Sequence, residues 1–266
     1  SRQDVVEDFA MLSPQGEFPS IAADILARLR QLRPRVHCVT NVVAQTFTAN
    51  ILLAVGAIPT MTIAPDEVAD FVAGADAVLV NLGTLDASRR EAIGIAIDKA
   101  TELGLRGIFD PVFIDRSQGR AVFAEALVRM RPTAMHLNDR EFLAIAGSRP
   151  TAAAVARYAG DVGAVVALTG QTDLITDGTK SIRIANGHPW MSLITAMGCA
   201  GAGLAAACLA VEPDAWRAVA TGVLVLSVAG EIAAETARGP GSLSIGIIDA
   251  LHSLDQSELL ARAKVA

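Results

Sequence analysis

The stretch Thr195-Ala196-Met197-Gly198-Cys199-Ala200-Gly201-Ala202-Gly203 puts one thiol, three glycines and the start of a long apolar run in one place. Small residues let the main chain approach a ligand closely. A helix opening at Met197 or Gly198 would leave its first N–H groups unpaired and aimed outward, where an anion is favoured. Phosphate is the anion this arrangement suits. The same glycines would also serve a helix pressed against a neighbour in a close-packed interior, so spacing alone leaves both readings open. Further candidates close the predicted strands: Thr40-Asn41, Met61-Thr62, Asn81, Asp110, Asn138 with Glu141, and Thr169-Gly170. Singly, each reads as a helix cap. Several together on one sheet edge, beside the glycine turn, read as a site, because ligands of open parallel sheets bind beyond the carboxyl ends of the strands.

The elements that must hold these residues alternate. An amphipathic helix is expected from Ser20 to Arg33, and Val36–Thr40 reads as the first strand. Strands follow at Ile58–Ile63, Ala77–Asn81, Gly107–Asp110, Ala134–Leu137 and Val165–Thr169, with helical patterns between them and a hairpin-like pair around Asp177-Gly178. After Cys199 the pattern is almost wholly helical. Continuous Val/Ile/Leu strands alternating with helices predict an α/β fold, a mostly parallel sheet covered by helices on both faces. Residues 1–19 read as a polar extension and 20–266 as one domain.

At 266 residues with 52% hydrophobic and 4% aromatic content, the chain can build one large aliphatic core. Its 19% charged content is below the roughly 25% usual for soluble proteins, which points to surface buried against layers of its own fold or against copies of itself, and an oligomer is expected. A net charge of −6 without Lys/Arg clusters argues against nucleic acid or an anionic membrane as partner, leaving a small-molecule ligand. The apolar runs Ala200–Val211 and Ala218–Ala229 are too short to span a bilayer and read as core helices. No secretory leader pattern precedes Pro19, and Cys38, Cys199 and Cys208 form neither a disulfide framework nor a CxxC pair, so a cytoplasmic location is expected.

The sequence contains no GxxxxGKS/T and no early GxGxxG, which removes the P-loop and the dinucleotide fingerprint. The four histidines are scattered, and none is assigned to chemistry on spacing. One ordered set of short motifs is informative. Pro34-Arg35-Val36-His37-Cys38-Val39-Thr40-Asn41, Asn50 with Leu53-Ala54-Val55-Gly56-Ala57-Ile58-Pro59, Val80-Asn81-Leu82-Gly83-Thr84-Leu85, Asp110-Pro111-Val112, Leu168-Thr169-Gly170, Asn186-Gly187-His188, Gly198-Cys199 and Gly239-Pro240-Gly241-Ser242 stand in the order found in hydroxyethylthiazole kinases. Over about residues 34 to 250 the chain resembles that family.

The resemblance implies a ribokinase-like fold and transfer of the ATP γ-phosphoryl group to the hydroxyl of 4-methyl-5-(2-hydroxyethyl)thiazole, a thiamine-salvage step. Family members form homotrimers with active sites at subunit interfaces. Carried over residue by residue, Cys199 stands at the catalytic cysteine; the amides of Met197, Gly198 and Cys199, with the helix dipole behind them, would form the anion hole. Asn41, Met61 and Gly198 fall on the alcohol side. Thr169, Gly170, Asn138 and His136 fall on the nucleotide side, where Arg116 or Arg120 would replace the basic contact that His136 does not supply, and Asp110 and Glu141 fall near Mg²⁺, with contacts expected through water. A thiol at a helix N-terminus is expected to ionise more easily than in water. Three departures stand out: Phe113-Ile114-Asp115-Arg116-Ser117 replaces Gly-Ala-Gly-x-Thr, His136 replaces a basic residue, and Ala196 replaces a glycine, where a positive φ would be costly. These leave open a kinase for another small alcohol, or a binding protein with impaired catalysis. Cys199 as an acyl-transfer nucleophile is a weaker reading, since no histidine is placed to activate it.

Overall fold

The computed structural model describes residues 14–266; residues 1–13, and with them most of the expected polar extension, lie outside the described residues. The first helix, α1 (Pro14–Leu32), starts six residues before the expected Ser20. The reason is apolar: Phe18, Ala22, Ile25 and Leu29 carry the stripe one turn further back, and buried Phe18 meets the Trp216 ring edge-on at 5.6 Å between centroids.

After α1 the alternation runs as the sequence pattern predicts. It gives β1 (Arg35–Val39), α2 (Gln45–Ala54), β2 (Ile58–Thr60), α3 (Val68–Ala73), β3 (Ala77–Asn81), α4 (Ala87–Glu102), β4 (Arg106–Asp110), α5 (Gln118–Arg129), β5 (Ala134–Asn138), α6 (Asp139–Ala146), α7 (Ala152–Val162) and β6 (Val165–Thr169). The pair β7 (Asp173–Thr176) and β8 (Ser181–Ile184) follows, then α8 (Met197–Val211), α9 (Ala215–Ala234), α10 (Pro240–Ser253) and α11 (Gln256–Arg262). One sheet has the order β2-β1-β3-β4-β5-β6-β7-β8, parallel from β2 to β6 and antiparallel at β7 and β8.

Side chains alternate across each strand, so the sheet has two cores. Val36, Cys38, Leu79, Ile108, Ala134, Val165 and Ala167 pack with α1, α2, α8, α9 and α10 on one face. Val39, Val78, Val80, Phe109, Met135 and Val166 pack with α3 to α7 on the other. By the same alternation the polar ends Asn81, Asp110, His136, Asn138 and Thr169 belong to the α8 face. Parallel register sets Asn81 against Asp110 and Asn138 against Thr169.

Helix α9 is longer than the apolar run inside it suggests. Its 20 residues, at mean hydropathy 1.5, meet the length and composition needed to cross a membrane, but most of it is buried among α1, α8, α10 and the sheet, as in a core helix.

Candidate active site

Helix α8 begins over the carboxyl ends of the central strands, and its entry is built with strain. Ala196, the N-cap, sits at φ +71°, the left-handed conformation that glycine adopts freely and alanine does not. The turn sets the first α8 amides apart from internal partners. Ala200 N donates to Ala196 O, but Gly198 N and Cys199 N reach no protein acceptor among the described residues, leaving two donors at the positive end of a 15-residue helix. The expected third donor is engaged: Met197 N reaches Ile194 O at 3.4 Å.

The glycines that follow answer the packing reading as well. A Cβ on Gly203 would lie 3.0 Å from Thr48 Cγ2, and one on Gly201 3.2 Å from Leu226 Cδ2. Both readings of the motif therefore hold: Gly198 belongs to the open end, Gly201 and Gly203 to the close-packed part.

Cys199 is half-buried and lies among polar groups. Its Sγ accepts from Asn41 Nδ2 at 3.3 Å and from Asn81 Nδ2 at 3.2 Å. Asn81 Nδ2 also donates to Asp110 Oδ2 at 2.7 Å, and Asn41 Nδ2 to Asn81 Oδ1 at 3.0 Å. The expectation of an easily ionised thiol is corrected. Burial first, then the Asp110 carboxylate, push the Cys199 thiol up to about 12, against the lowering effect of the two amides. The helix terminus is outweighed by desolvation and neighbouring negative charge.

Asp110 lies within the field of Glu141. Asp110 is buried, and its carboxyl is held well above the ordinary range by burial and then by Glu141. Glu141 is raised by burial, with the N–H groups of Asn138 and Phe113 opposing. Part of the Glu141 arrangement is a helix cap: Asn138 Oδ1 accepts from Arg140 N and Glu141 N at 3.0 Å each, and Glu141 Oε2 accepts from Asn138 N at 3.0 Å. Its other oxygen, Oε1, accepts from Phe113 N at 3.2 Å. No group of three or more His, Cys, Asp or Glu able to hold a metal occurs among the described residues. Two raised carboxyls, Asp110 lifted by burial and Glu141, and Glu141 by burial and Asp115, fit a divalent ion that keeps most of its water and takes further oxygens from phosphates.

The remaining candidates separate. Thr169 Oγ1 donates to Leu137 O at 3.2 Å, and Gly170 N donates to Asp173 Oδ1 at 2.9 Å, which fixes that turn on the same sheet edge. Met61 is half-buried and packs against the α8 core. His136 supplies no cation. It lies beneath α8, where added Cβ atoms on Gly198 and Gly201 would come within 3.7 and 3.6 Å of its ring, and burial lowers it to about 4. Arg120 turns its guanidinium back onto Val112 O at 2.7 Å, so it braces the loop after β4.

Two residues carry more structure than their types announce. Asn81 is fully buried and joins Asn41, Cys199 and Asp110. Arg89 is also buried, and its Nη1 holds Thr84 O at 2.6 Å beneath the loop after β3. Closeness there needs Gly83, since a Cβ would stand 2.6 Å from Asn41. Asn81 carried a sequence signal, a polar residue closing a buried strand; Arg89 carried none.

A parallel sheet ending in an antiparallel pair, helix-covered on both faces and with amides and carboxylates at one edge, defines the ribokinase-like class. A ribokinase-like superfamily protein of Enterococcus faecalis V583 shares that fold at TM-score 0.66 and 15% identity, over 90% of this chain and 95% of its own. Within the class, residues 26–257 match the model of the hydroxyethylthiazole kinase family. The hydroxyethylthiazole kinase of Granulibacter bethesdensis is 40% identical over 253 residues, 90% of this chain and 92% of that protein. The hydroxyethylthiazole kinase structure from Pyrococcus horikoshii OT3 aligns at TM-score 0.88 and 30% identity, over 93% of this chain and 98% of that one. The chain belongs to the hydroxyethylthiazole kinase family.

Proposed function

We propose that this chain transfers the γ-phosphoryl group of ATP to the hydroxyl of 4-methyl-5-(2-hydroxyethyl)thiazole. The observation that carries the reading is the pair of free amides at Gly198 and Cys199 beside the Asn41–Asn81–Asp110 chain. Phosphoryl transfer spreads charge over the oxygens of the migrating group, so positioning and electrostatic stabilisation are what the protein must supply. The Gly198 and Cys199 amides and the α8 dipole receive that charge. Sγ of Cys199, a thiol that burial and Asp110 keep protonated, meets the substrate hydroxyl and orients it. Asn41 and Met61 border the alcohol; Thr169, Gly170 and Asn138 border the nucleotide. Asp110 and Glu141 hold Mg²⁺ through water, and Mg²⁺ when bound neutralises phosphate charge. His136 and Arg120 act on the nucleotide side only through the elements they brace.

The supporting surface fits a homotrimer whose contacts border the site. Val42, Val43, Leu53, Leu193 and Ile245 are large apolar residues left exposed on the β1–α2 loop, α2, the turn before α8 and α10, and α10 touches both α2 and that turn. Residues 20–266 act as one catalytic unit in the cytoplasm, consistent with three free cysteines. A coupled ADP-release assay with the thiazole alcohol, ATP and Mg²⁺ should show turnover; a flat trace across small primary alcohols would overturn the reading.

A further inference from the structure

None of the roles proposed above falls to Asn81, yet this residue joins the alcohol and phosphate sides. Its orientation follows from groups that can only donate. Gly83 N–H reaches Asn81 Oδ1 at 2.9 Å, and Ala44 N–H reaches Asn41 Oδ1 at 3.0 Å, so in each side chain the oxygen must face the backbone donor and the NH₂ must face the site. Asn81 then has two hydrogens to give. One goes to Asp110 Oδ2 at 2.7 Å and one to Cys199 Sγ at 3.2 Å. Asn41 Nδ2 comes to the same sulfur at 3.3 Å, so Sγ receives two N–H groups and meets no acceptor in either amide. The thiol hydrogen is directed away from both asparagines, toward the open side of the half-buried cysteine.

We infer that Asn81 is a positioning residue for phosphoryl transfer: by dividing its N–H pair between Asp110 and Cys199, it sets which lobe of the sulfur meets the alcohol. The inference rests on the kinase reading of the same site. Asn81 itself does not touch substrate. It is fully buried and its hydrogen-bonding capacity is consumed by Asn41, Gly83, Asp110 and Cys199. Loss of the N–H on sulfur frees the thiol to turn inward, which removes the geometry on which the chemical step depends.

The test is a double-mutant cycle between Asn81→Asp and Cys199→Ala. Asn81→Asp keeps the size and the oxygen that Asn41 and Gly83 use, but replaces the donor that faces both sulfur and Asp110. The lost contact to Asp110 is common to both backgrounds, so the fall in kcat should be at least about tenfold larger when Cys199 is present than in the Cys199→Ala background. Equal losses in both backgrounds would overturn the inference. Labelling by iodoacetamide gives a readout independent of turnover, because Cys38 and Cys208 are buried and Cys199 is half-exposed. Asn81→Asp and, where that variant does not fold by circular dichroism, Asn81→Leu should slow labelling of Cys199 by about fivefold or more at fixed pH. Labelling at the wild-type rate or faster would also overturn it. A wild-type protein that phosphorylates no alcohol removes the kinase reading, while labelling still decides the placement of the thiol.

Discussion

The turn that opens α8 and the loop that follows β4 lie on one sheet edge, and each bends through a non-glycine residue in left-handed conformation: Ala196 at φ +71° and Phe113 at φ +60°. They use that bend in opposite ways. At Ala196 it releases amides, leaving Gly198 N and Cys199 N without protein acceptors. At Phe113 it consumes them: Phe113 N donates to Glu141 Oε1, Ile114 N to Pro111 O and Arg116 N to Phe113 O. One loop is an anion receiver; the other ties down a carboxylate. Charge of both signs is thereby separated along one edge, donors at α8 and acids at β4 and α6. Strain at functional turns is expected where the surrounding structure fixes the backbone.

The largest effect should come from the α8 side. Cys199→Ala should lower kcat by about 10²- to 10⁴-fold in the ADP-release assay, with an unchanged circular dichroism spectrum. A loss below tenfold would mean that the amides alone carry that side, and the contrast between the two turns would reduce to donors and acids without the thiol.

On the acid side, Asp110→Asn should lower activity by about 10²- to 10³-fold. It should also leave the ligand-free protein at least as stable as wild type. The sign follows from the direction of the shift. Burial and Glu141 raise the Asp110 carboxyl in the folded state, so folding favours its protonated form; stability is retained at low pH and lost as pH rises toward the raised value. A neutral amide removes that loss. Thermal melts of both proteins between pH 5 and about 8 should diverge in favour of Asp110→Asn as pH increases. Melts that instead favour wild type at the upper end would show that Asp110 is not a destabilised acid, and the charge separation drawn above would fail.

Much of this was legible in residue order, and the parts that were not share a cause. Strands β3 and β6 coincide with their expected ends because continuous aliphatic runs bounded by polar residues signal buried parallel strands. The α8 turn was visible because small residues beside a thiol before an apolar run have few other uses. What stayed hidden depended on register and burial. The hub role of Asn81 requires knowing that β3 and β4 align it with Asp110 and that alternation turns both toward Cys199. The thiol departs from the sequence expectation because the helix-end effect is local and readable, whereas desolvation and the field of Asp110 exist only after folding. Motif position puts His136 on the nucleotide side and the missing basic residue there suggests Arg120, but only side-chain direction shows that Arg120 grips a carbonyl and His136 lies neutral under a helix.

The smallest expected effect separates strain from use at the two left-handed residues. Left-handed backbone costs a non-glycine residue about 1–2 kcal/mol, while glycine gives back about 0.4–1 kcal/mol through the entropy of the unfolded chain. Ala196→Gly should therefore raise stability by about 0.5–1 kcal/mol, a gain of roughly 1–4 °C in Tm for a chain of this size, with kcat unchanged. Phe113→Gly relieves the same strain and loses little packing, since Phe113 is 59% exposed. Its loop, however, is the one whose amide is tied to Glu141. A freer backbone there should weaken that tie and raise the Mg²⁺ concentration needed for half-maximal rate, although Tm rises as it does for Ala196→Gly. If both variants instead shifted the Mg²⁺ requirement equally, or neither did, the two bends would be equivalent in function, and the division of labour between an amide-releasing turn and an acid-binding loop would not hold.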